Sequence, residues 1–295
     1  MIACEIDNEV TLYDIENERK ILNLNDDRFG YCFTVFSSDS SVIIPIYLNS
    51  CVIKFFSTDT GDLLKMIEFT NETITNVCFS SDSRIIFIAI LNEYNKSVIY
   101  CYDCETTLYI SQINVGDIII SDLCISSDNN SLFLLSQKEC FVFDLTDTRY
   151  FSQMILIPEN NFFENVVFNT YFNDFIVSVF NNSDNKIVLF NGEFEMISEI
   201  EYDFKYIKIN PVFDNCVILN NNEFEISIFK LTTFELLHHF IFEDNIKEIV
   251  FNKEGTKLAI VFDEYVKILN IFTLEIKNIN GIMSQINFKP LFLRE

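Results

Sequence analysis

The feature that most constrains this chain is a phrase that returns at a near-constant interval. An apolar residue and an aromatic or aliphatic anchor precede Ser or Asn, a variable residue, Asp or Glu, a small residue, and then an apolar run. The phrase reads VFSSDSSVII from Val35, CFSSDSRIIFIAI from Cys78 and CISSDNNSLFLL from Cys124. It degrades to VFNTYFNDFIVSV from Val167 and KINPVFDNCVIL from Lys208, and VFNKEGTKLAIV from Val250 restores it. The anchors Phe36, Phe79, Ile125, Phe168, Ile209 and Phe251 stand 41 to 46 residues apart. Each copy predicts the same unit: a strand ends, an Asp/Asn/Ser turn reverses the chain, and a buried strand follows. A fixed period of this length marks an array of repeated β units.

A second phrase tracks the first. After each buried run comes an alternating strand that ends in an aromatic or aliphatic residue with a polar or charged one, then a polar turn and another strand. It starts at Val10, Val52, Val98, Cys140, Lys186, Glu225 and Tyr265, which makes seven third strands. The pairs that close them are Tyr13-Asp14, Phe56-Ser57, Tyr102-Asp103, Phe143-Asp144, Phe190-Asn191, Phe229-Lys230 and Leu269-Asn270.

These pairs carry a resemblance to the WD40 repeat family, whose pattern places Trp-Asp at the end of the third strand and a small turn before the fourth. The resemblance covers nearly the whole chain. It implies an all-β fold, a seven-bladed WD40-like β-propeller in one domain over residues 1–295. The blades fall at about 1–25 plus 284–292, 31–70, 74–114, 120–157, 163–202, 205–243 and 246–279. The chain departs from the family pattern in having no Trp and only two His, His238 and His239. The Gly-His pair and the buried Asp-His-Ser-Trp network of well-kept WD40 blades are therefore not expected. Aromatic packing must do more in their place, each buried Phe contributing about 1.5 to 3 kcal/mol.

The first repeat lacks its leading strand and begins directly with Ile2 to Ile6 and Val10 to Asp14. At the other end, Ser284-Gln285-Ile286-Asn287-Phe288-Lys289-Pro290 repeats the opening of the phrase without followers. The expected joint sets Ile286 to Phe288 beside Ile2 to Ile6, so that blade 1 is completed by the C-terminal strand and no open edge remains. The competing arrangement is an open ring completed by a partner's strand.

Composition bears on partners. Apolar residues make up 49% of the chain, with 32 Phe and 12 Tyr, enough to fill a sizeable core. Acidic residues number 44 against 20 basic ones, a formal net charge of -24. That charge repels nucleic-acid phosphates and anionic membrane surfaces, so no direct nucleic-acid or membrane binding is expected and a basic protein partner suits it better. The same excess keeps a Phe-rich chain soluble. Nine scattered Cys form no framework and fit a reducing compartment. The start has neither a basic n-region nor an apolar h-region, and the apolar runs stop short of the roughly 18 residues of a spanning helix. An intracellular protein, cytoplasmic and/or nuclear, is expected.

Motifs for chemistry are missing: there is no G-x-S-x-G, H-E-x-x-H, Walker A or GxGxxG. Cys101 and Cys104 have metal-like spacing, but no second pair or His lies near them in sequence, and they read as packing residues. His238 and His239 are adjacent on a strand and point to opposite faces, so they read as surface or edge residues. The carboxylate pairs Asp26-Asp27, Glu201 with Asp203, and Glu243-Asp244 are what a chain this acidic carries anyway. The Arg-Arg-Gly motif of phosphoinositide-binding propellers does not occur. No enzyme, metal site, cofactor or small-molecule substrate is expected.

What remains is the surface. Fourth-to-first connections and second-to-third turns share one rim of a propeller. There the expected protein-binding residues are Asp26, Asp27, Glu72, Asp117, Glu159, Glu164, Asp203, Glu243, Asp244, Asp263 and Glu264. The expected function is a non-catalytic protein-interaction scaffold within a multiprotein complex, docking a basic peptide or surface. Two other readings stay open: an acidic carrier or chaperone for a basic client protein, and a propeller enzyme with no recognisable motif.

Overall fold

The structure, a computed structural model, describes residues 2–6, 9–14, 19–24, 31–47, 50–126, 128–136, 139–146, 151–156, 161–169, 174–181, 185–191, 195–252, 254–263, 265–279 and 289–290. By contact the chain divides into two compact units, residues 1–125 with 284–295 and residues 126–283. Each is described by itself.

The described strands form seven four-stranded sheets. They cover residues 2–24 with 289–290, 31–68, 73–116, 122–156, 161–201, 204–241 and 248–279. In six of them the strands lie side by side in chain order; in the first, Lys289–Pro290 lies beside Ile2–Ile6. The pairing is antiparallel, Cys4 opposite Pro290 and Glu5 opposite Lys289. The described joint thus falls just after the expected Ile286 to Phe288, which with 284 and 285 lies outside the described residues. The described pair lies within the expected C-terminal part of the first blade, 284–292.

Where burial is described, the second strands are deeply buried. Ile85–Leu91 is buried at all five central positions, and Val42–Tyr47 and Asn215–Asn220 follow suit. A strand covered on both faces reads as a continuous apolar run, which is why these segments show no polar alternation. The fourth strands are the reverse: Leu63–Glu68, Tyr109–Gly116 and Leu236–Ile241 are mostly exposed. Consecutive side chains of the buried strands serve different neighbours. In the sheet 204–241, Cys216 and Ile218 pack with Ile187 and Leu189 of the preceding sheet, while Val217 and Leu219 pack with Leu258 and Ile260 of the following one. That is the two-residue period of a strand put to use on both sides.

The Ser-x-Asp element of the repeated phrase is a turn lock. Asp39 Oδ1 accepts from Ser37 Oγ at 2.6 Å, Ser41 N at 3.0 Å and Ser41 Oγ at 2.8 Å. Ser80 Oγ donates to Asp82 and Ser126 Oγ to Asp128, both at 2.6 Å. One residue in each turn is left-handed: Ser40 at φ 61, Ser83 at φ 60, Asn129 at φ 61 and Gly255 at φ 63. In the Val250 copy, Asn252 and Glu254 replace Ser and Asp, joined by Asn252 Nδ2 donating to Glu254 Oε2 at 2.7 Å. The second phrase ends in a similar cap, Asp103 Oδ1 accepting from Glu105 N, Thr106 N and Thr106 Oγ1.

Several first strands carry a bulge, whereas Glu248–Phe251 pairs with Lys257–Val261 without a shift. The register shifts between Ile74 and Asn76, between Phe163 and Asn165 and between Phe204 and Tyr206. At the bulge in Thr73–Phe79, Asn76 Oδ1 accepts from the Val77 amide at 2.8 Å, taking up a donor that the kinked ladder frees. Asn76 Nδ2 also donates to Asp122 Oδ1 of the next first strand, at 3.2 Å, a buried polar link between two sheets. Among the described residues no helix is long and apolar enough to cross a membrane.

Candidate functional site

Antiparallel order puts the fourth-to-first connection and the second-to-third turn at the same end of each sheet. In the second unit this brings the turn 221–224, the connection 242–247 and the turn 262–265 together around a cavity of about 430 Å³. Its lining is Phe224, Glu243, Asp244, Asn245, Phe262, Asp263 and Tyr265. Backbone hydrogen bonds fix all three segments. Phe242 N donates to Phe224 O at 2.8 Å, Ile246 N to Glu223 O at 2.7 Å, Lys247 N to Val261 O at 2.8 Å and Phe262 N to Tyr265 O at 3.0 Å.

Phe262 and Tyr265 of the lining belong to a cluster of rings with Phe242. Phe262 is fully buried, stacks on Tyr265 at 4.6 Å between centroids and lies 5.5 Å from Phe242. Lys267 Nζ stands over the same rings, 5.2 Å from the Phe242 and Phe262 centroids and 5.3 Å from that of Tyr265. Three carboxylates, Glu243, Asp244 and Asp263, line the cavity as well. Tyr265 OH donates to Asp244 Oδ2 at 2.6 Å, and Lys247 Nζ lies 3.2 Å from Asp263 Oδ2. Burial first, then the hydrogen bond to Asp244 and the charges of Asp244 and Glu243, push the Tyr265 phenol up to about 12. Asn245 Oδ1 is buried without a hydrogen-bond partner.

Of the residues expected on the acidic rim, Glu243, Asp244 and Asp263 meet at this cavity. Glu72 is half-buried and accepts from Tyr100 OH at 3.1 Å. Asp117 is exposed, 3.9 Å from Lys96, and Asp203 is exposed and accepts from Asn221 Nδ2. Glu164 lies in the strand Asn161–Asn169, its side chain outside the described residues, as are Asp26, Asp27, Glu159 and Glu264 altogether. The rings Phe224, Phe262 and Tyr265 escape a reading by charge. The only signal for them in the sequence is their position, one or two residues from an acidic turn residue.

A second polar constellation went unread. Glu225 Oε2 lies 3.6 Å from His239 Nε2, His239 Nδ1 is 2.9 Å from Ser227 Oγ, and Ser227 Oγ is 2.8 Å from Tyr202 OH. The residue types suggest a nucleophile and its base, but Ser227 is fully buried, so no substrate carbonyl reaches its oxygen. The chain of bonds ties neighbouring strands together. His239 is exposed on an edge strand, as the sequence reading has it, and also joins this chain of bonds.

The two cysteines with metal-like spacing are held protonated. Burial raises the Cys101 thiol, and burial pushes Cys104 up to about 12. Among the described residues no group of three or more His, Cys, Asp or Glu is placed to hold a metal ion.

No family model and no curated protein matches this chain. Solved structures match its fold. One is a functionally unknown protein from Desulfotomaculum acetoxidans DSM 771, similar over 99% of both chains with a TM-score of 0.70 at 12% identity. Another is the Cps50 (Swd1) β-propeller domain of Myceliophteria thermophila, similar over 86% of this chain and 88% of that one, with a TM-score of 0.67 at 8% identity. At such identities the likeness speaks for the fold alone, and by that fold the chain is an all-β β-propeller.

Proposed function

We propose that this chain is a non-catalytic protein-interaction module: a WD40-type propeller of seven blades in one domain, each of the seven sheets being a blade. It serves inside the cell, in cytoplasm or nucleus, as a subunit of a multiprotein assembly. Its partner presents a basic peptide or surface.

The observation that carries this reading is a division of labour among carboxylates. At one end of the sheets, Asp39, Asp82 and Asp128 each accept bonds from a serine hydroxyl and from turn amides, which commits them to the fold. At the other end, Asp117, Asp203, Asp244 and Asp263 are exposed, and each meets a single side chain among the described residues. Those four have lone pairs left for a partner's donors. Their field also steers a basic partner toward them.

The test is affinity purification of the tagged chain from its native cells at low and high salt, with co-purifying chains identified by mass spectrometry. A set of partners at either salt upholds the module. One basic client lost at high salt favours the carrier reading over a permanent subunit. No partner at either salt sinks the proposal and returns attention to catalysis.

A further inference from the structure

We propose that the cavity between the turns 221–224 and 262–265 and the connection 242–247 is a receptor for one basic side chain, a lysine or arginine carried on an exposed segment of a partner protein. This rests on the interaction-module reading and names what that module grips.

Four observations converge on a cation. The first is the lining, which sets aromatic rings against the carboxylates of Glu243, Asp244 and Asp263. The face of a ring and a carboxylate both attract positive charge. The second is independent of the acidic residues. The ring cluster that includes Phe262 and Tyr265 of the lining already holds the chain's own ammonium, since Lys267 Nζ lies within 5.2 to 5.3 Å of three ring centroids. The third is the state of the carboxylates: Glu243, Asp244 and Asp263 are exposed, and Asp244 and Asp263 each meet one side chain among the described residues, which leaves lone pairs for the three or five N–H groups of a lysine or arginine head. The fourth is rigidity: the backbone bonds across the three segments leave little to order on binding, so interaction energy is not spent on closing the site.

The same facts disfavour the other cation. A hard divalent ion needs several oxygens converging at 2.0 to 2.6 Å, roughly. Here the carboxylates do not converge on one point, as no metal-holding group occurs among the described residues. A volume near 430 Å³ lies at the small end of ligand pockets, which run from about 300 to 1,000 Å³. It suits a single side chain better than a large cofactor.

The experiment titrates the full chain by calorimetry with the capped peptide acetyl-Gly-Arg-Gly-amide, its lysine counterpart, and its citrulline counterpart, which keeps the shape and loses the charge. Arginine or lysine is expected to bind about tenfold more tightly than citrulline, as desolvated cation contacts allow. Two variants keep the test sound if one misfolds. Asp263→Asn is an exposed change, and Tyr265→Phe keeps the ring while releasing Asp244. Asp263→Asn is expected to weaken the arginine peptide several-fold at an unchanged melting temperature, and Tyr265→Phe to strengthen or preserve binding. Equal affinity for arginine and citrulline, or no binding of either cationic peptide, overturns the proposal. Partners that co-purify equally with wild type and Glu243→Gln/Asp263→Asn overturn this site while leaving the module standing. Charge-selective peptide binding with no co-purifying protein does the opposite.

Discussion

Lys208 Nζ lies 3.5 Å from Glu248 Oε1, joining the first strands of two neighbouring sheets, and Glu248 is almost wholly buried. The geometry is that of an ion pair rather than a good hydrogen bond, for Oε1 has no hydrogen-bond partner. Burial raises the Glu248 carboxyl above its ordinary 4.5 against the pull of Lys208. Removing the lysine strands a buried acid, so Lys208→Met is expected to destabilise by about 3 kcal/mol, and Glu248→Gln by clearly less. Urea denaturation of the two variants at neutral pH checks the order.

The same carboxyl sets a pH dependence. With its pKa raised in the folded chain, it holds its proton longer folded than unfolded. Its contribution is therefore most favourable in acid and declines as pH rises from 4.5 toward the folded value. The difference in melting temperature between wild type and Glu248→Gln should change across that window and flatten on either side.

The turn carboxylates run the other way. The Ser80 hydroxyl, with the Arg84 amide, holds Asp82 below its ordinary 3.8. At Asp39 and Asp128 burial pushes upward, and the hydrogen bonds of Ser37 or Ser126 and their neighbours outweigh it. A depressed carboxyl contributes stability that is present above 3.8 and lost as pH falls through the folded value. Asp82→Ala is expected to cost about 1 kcal/mol at pH 7 and almost nothing at pH 2, as followed by circular dichroism during urea titration.

Gly255 separates two requirements that its counterparts do not share. Ser83 and Asn129 occupy the same left-handed position with side chains, but a Cβ on Gly255 would meet Asn210 Oδ1 at 2.0 Å. Asn210 cannot retreat without loss, since its Nδ2 donates to Gly255 O at 2.8 Å and its Oδ1 accepts from Val212 N and Phe213 N. Gly255→Ala should therefore destabilise by more than about 1 kcal/mol, and Ser83→Gly by only a few tenths. Thermal melts of the two variants, run together, decide it.

Asn76 and Asp122 are buried and bonded at 3.2 Å between two first strands. Either alanine variant leaves a buried polar group short of a partner, for a loss of about 1 to 3 kcal/mol. The double variant should lose less than the sum, and a coupling near zero in the double-mutant cycle would mean that the link is not formed in solution.

What the sequence disclosed, and what it did not, follows from the range of the forces involved. The locks at Ser37-Asp39, Ser80-Asp82 and Ser126-Asp128 involve residues two apart, so they show as a repeated phrase. Glu243, Asp244 and Asp263 were legible through charge. Phe262 and Tyr265 were not, because in a chain with 32 Phe nothing marks the few that wall a cavity. The Glu225, His239, Ser227 and Tyr202 chain needs strand registers that no local pattern supplies, its partners lying 12 and 25 residues apart. The closing strand was legible as a phrase without followers: Lys289–Pro290, inside the expected 284–292, pairs with Glu5 and Cys4, while Ile286 to Phe288 lie outside the described residues.

The alternating service of Cys216 and Ile218 to one neighbour and of Val217 and Leu219 to the other has a price in information. A strand that is greasy on both faces has no wrong side, so sliding it by one residue swaps its clients without exposing anything, and hydrophobicity alone cannot hold its reading frame. That task passes to the punctuation: the Asp and Asn caps at hairpin ends and the bulges that interrupt the ladders. Apolar runs are then free to drift among Ile, Val, Phe and Cys at constant volume, while a single inserted residue beside a cap would set two sheets out of step with their neighbours.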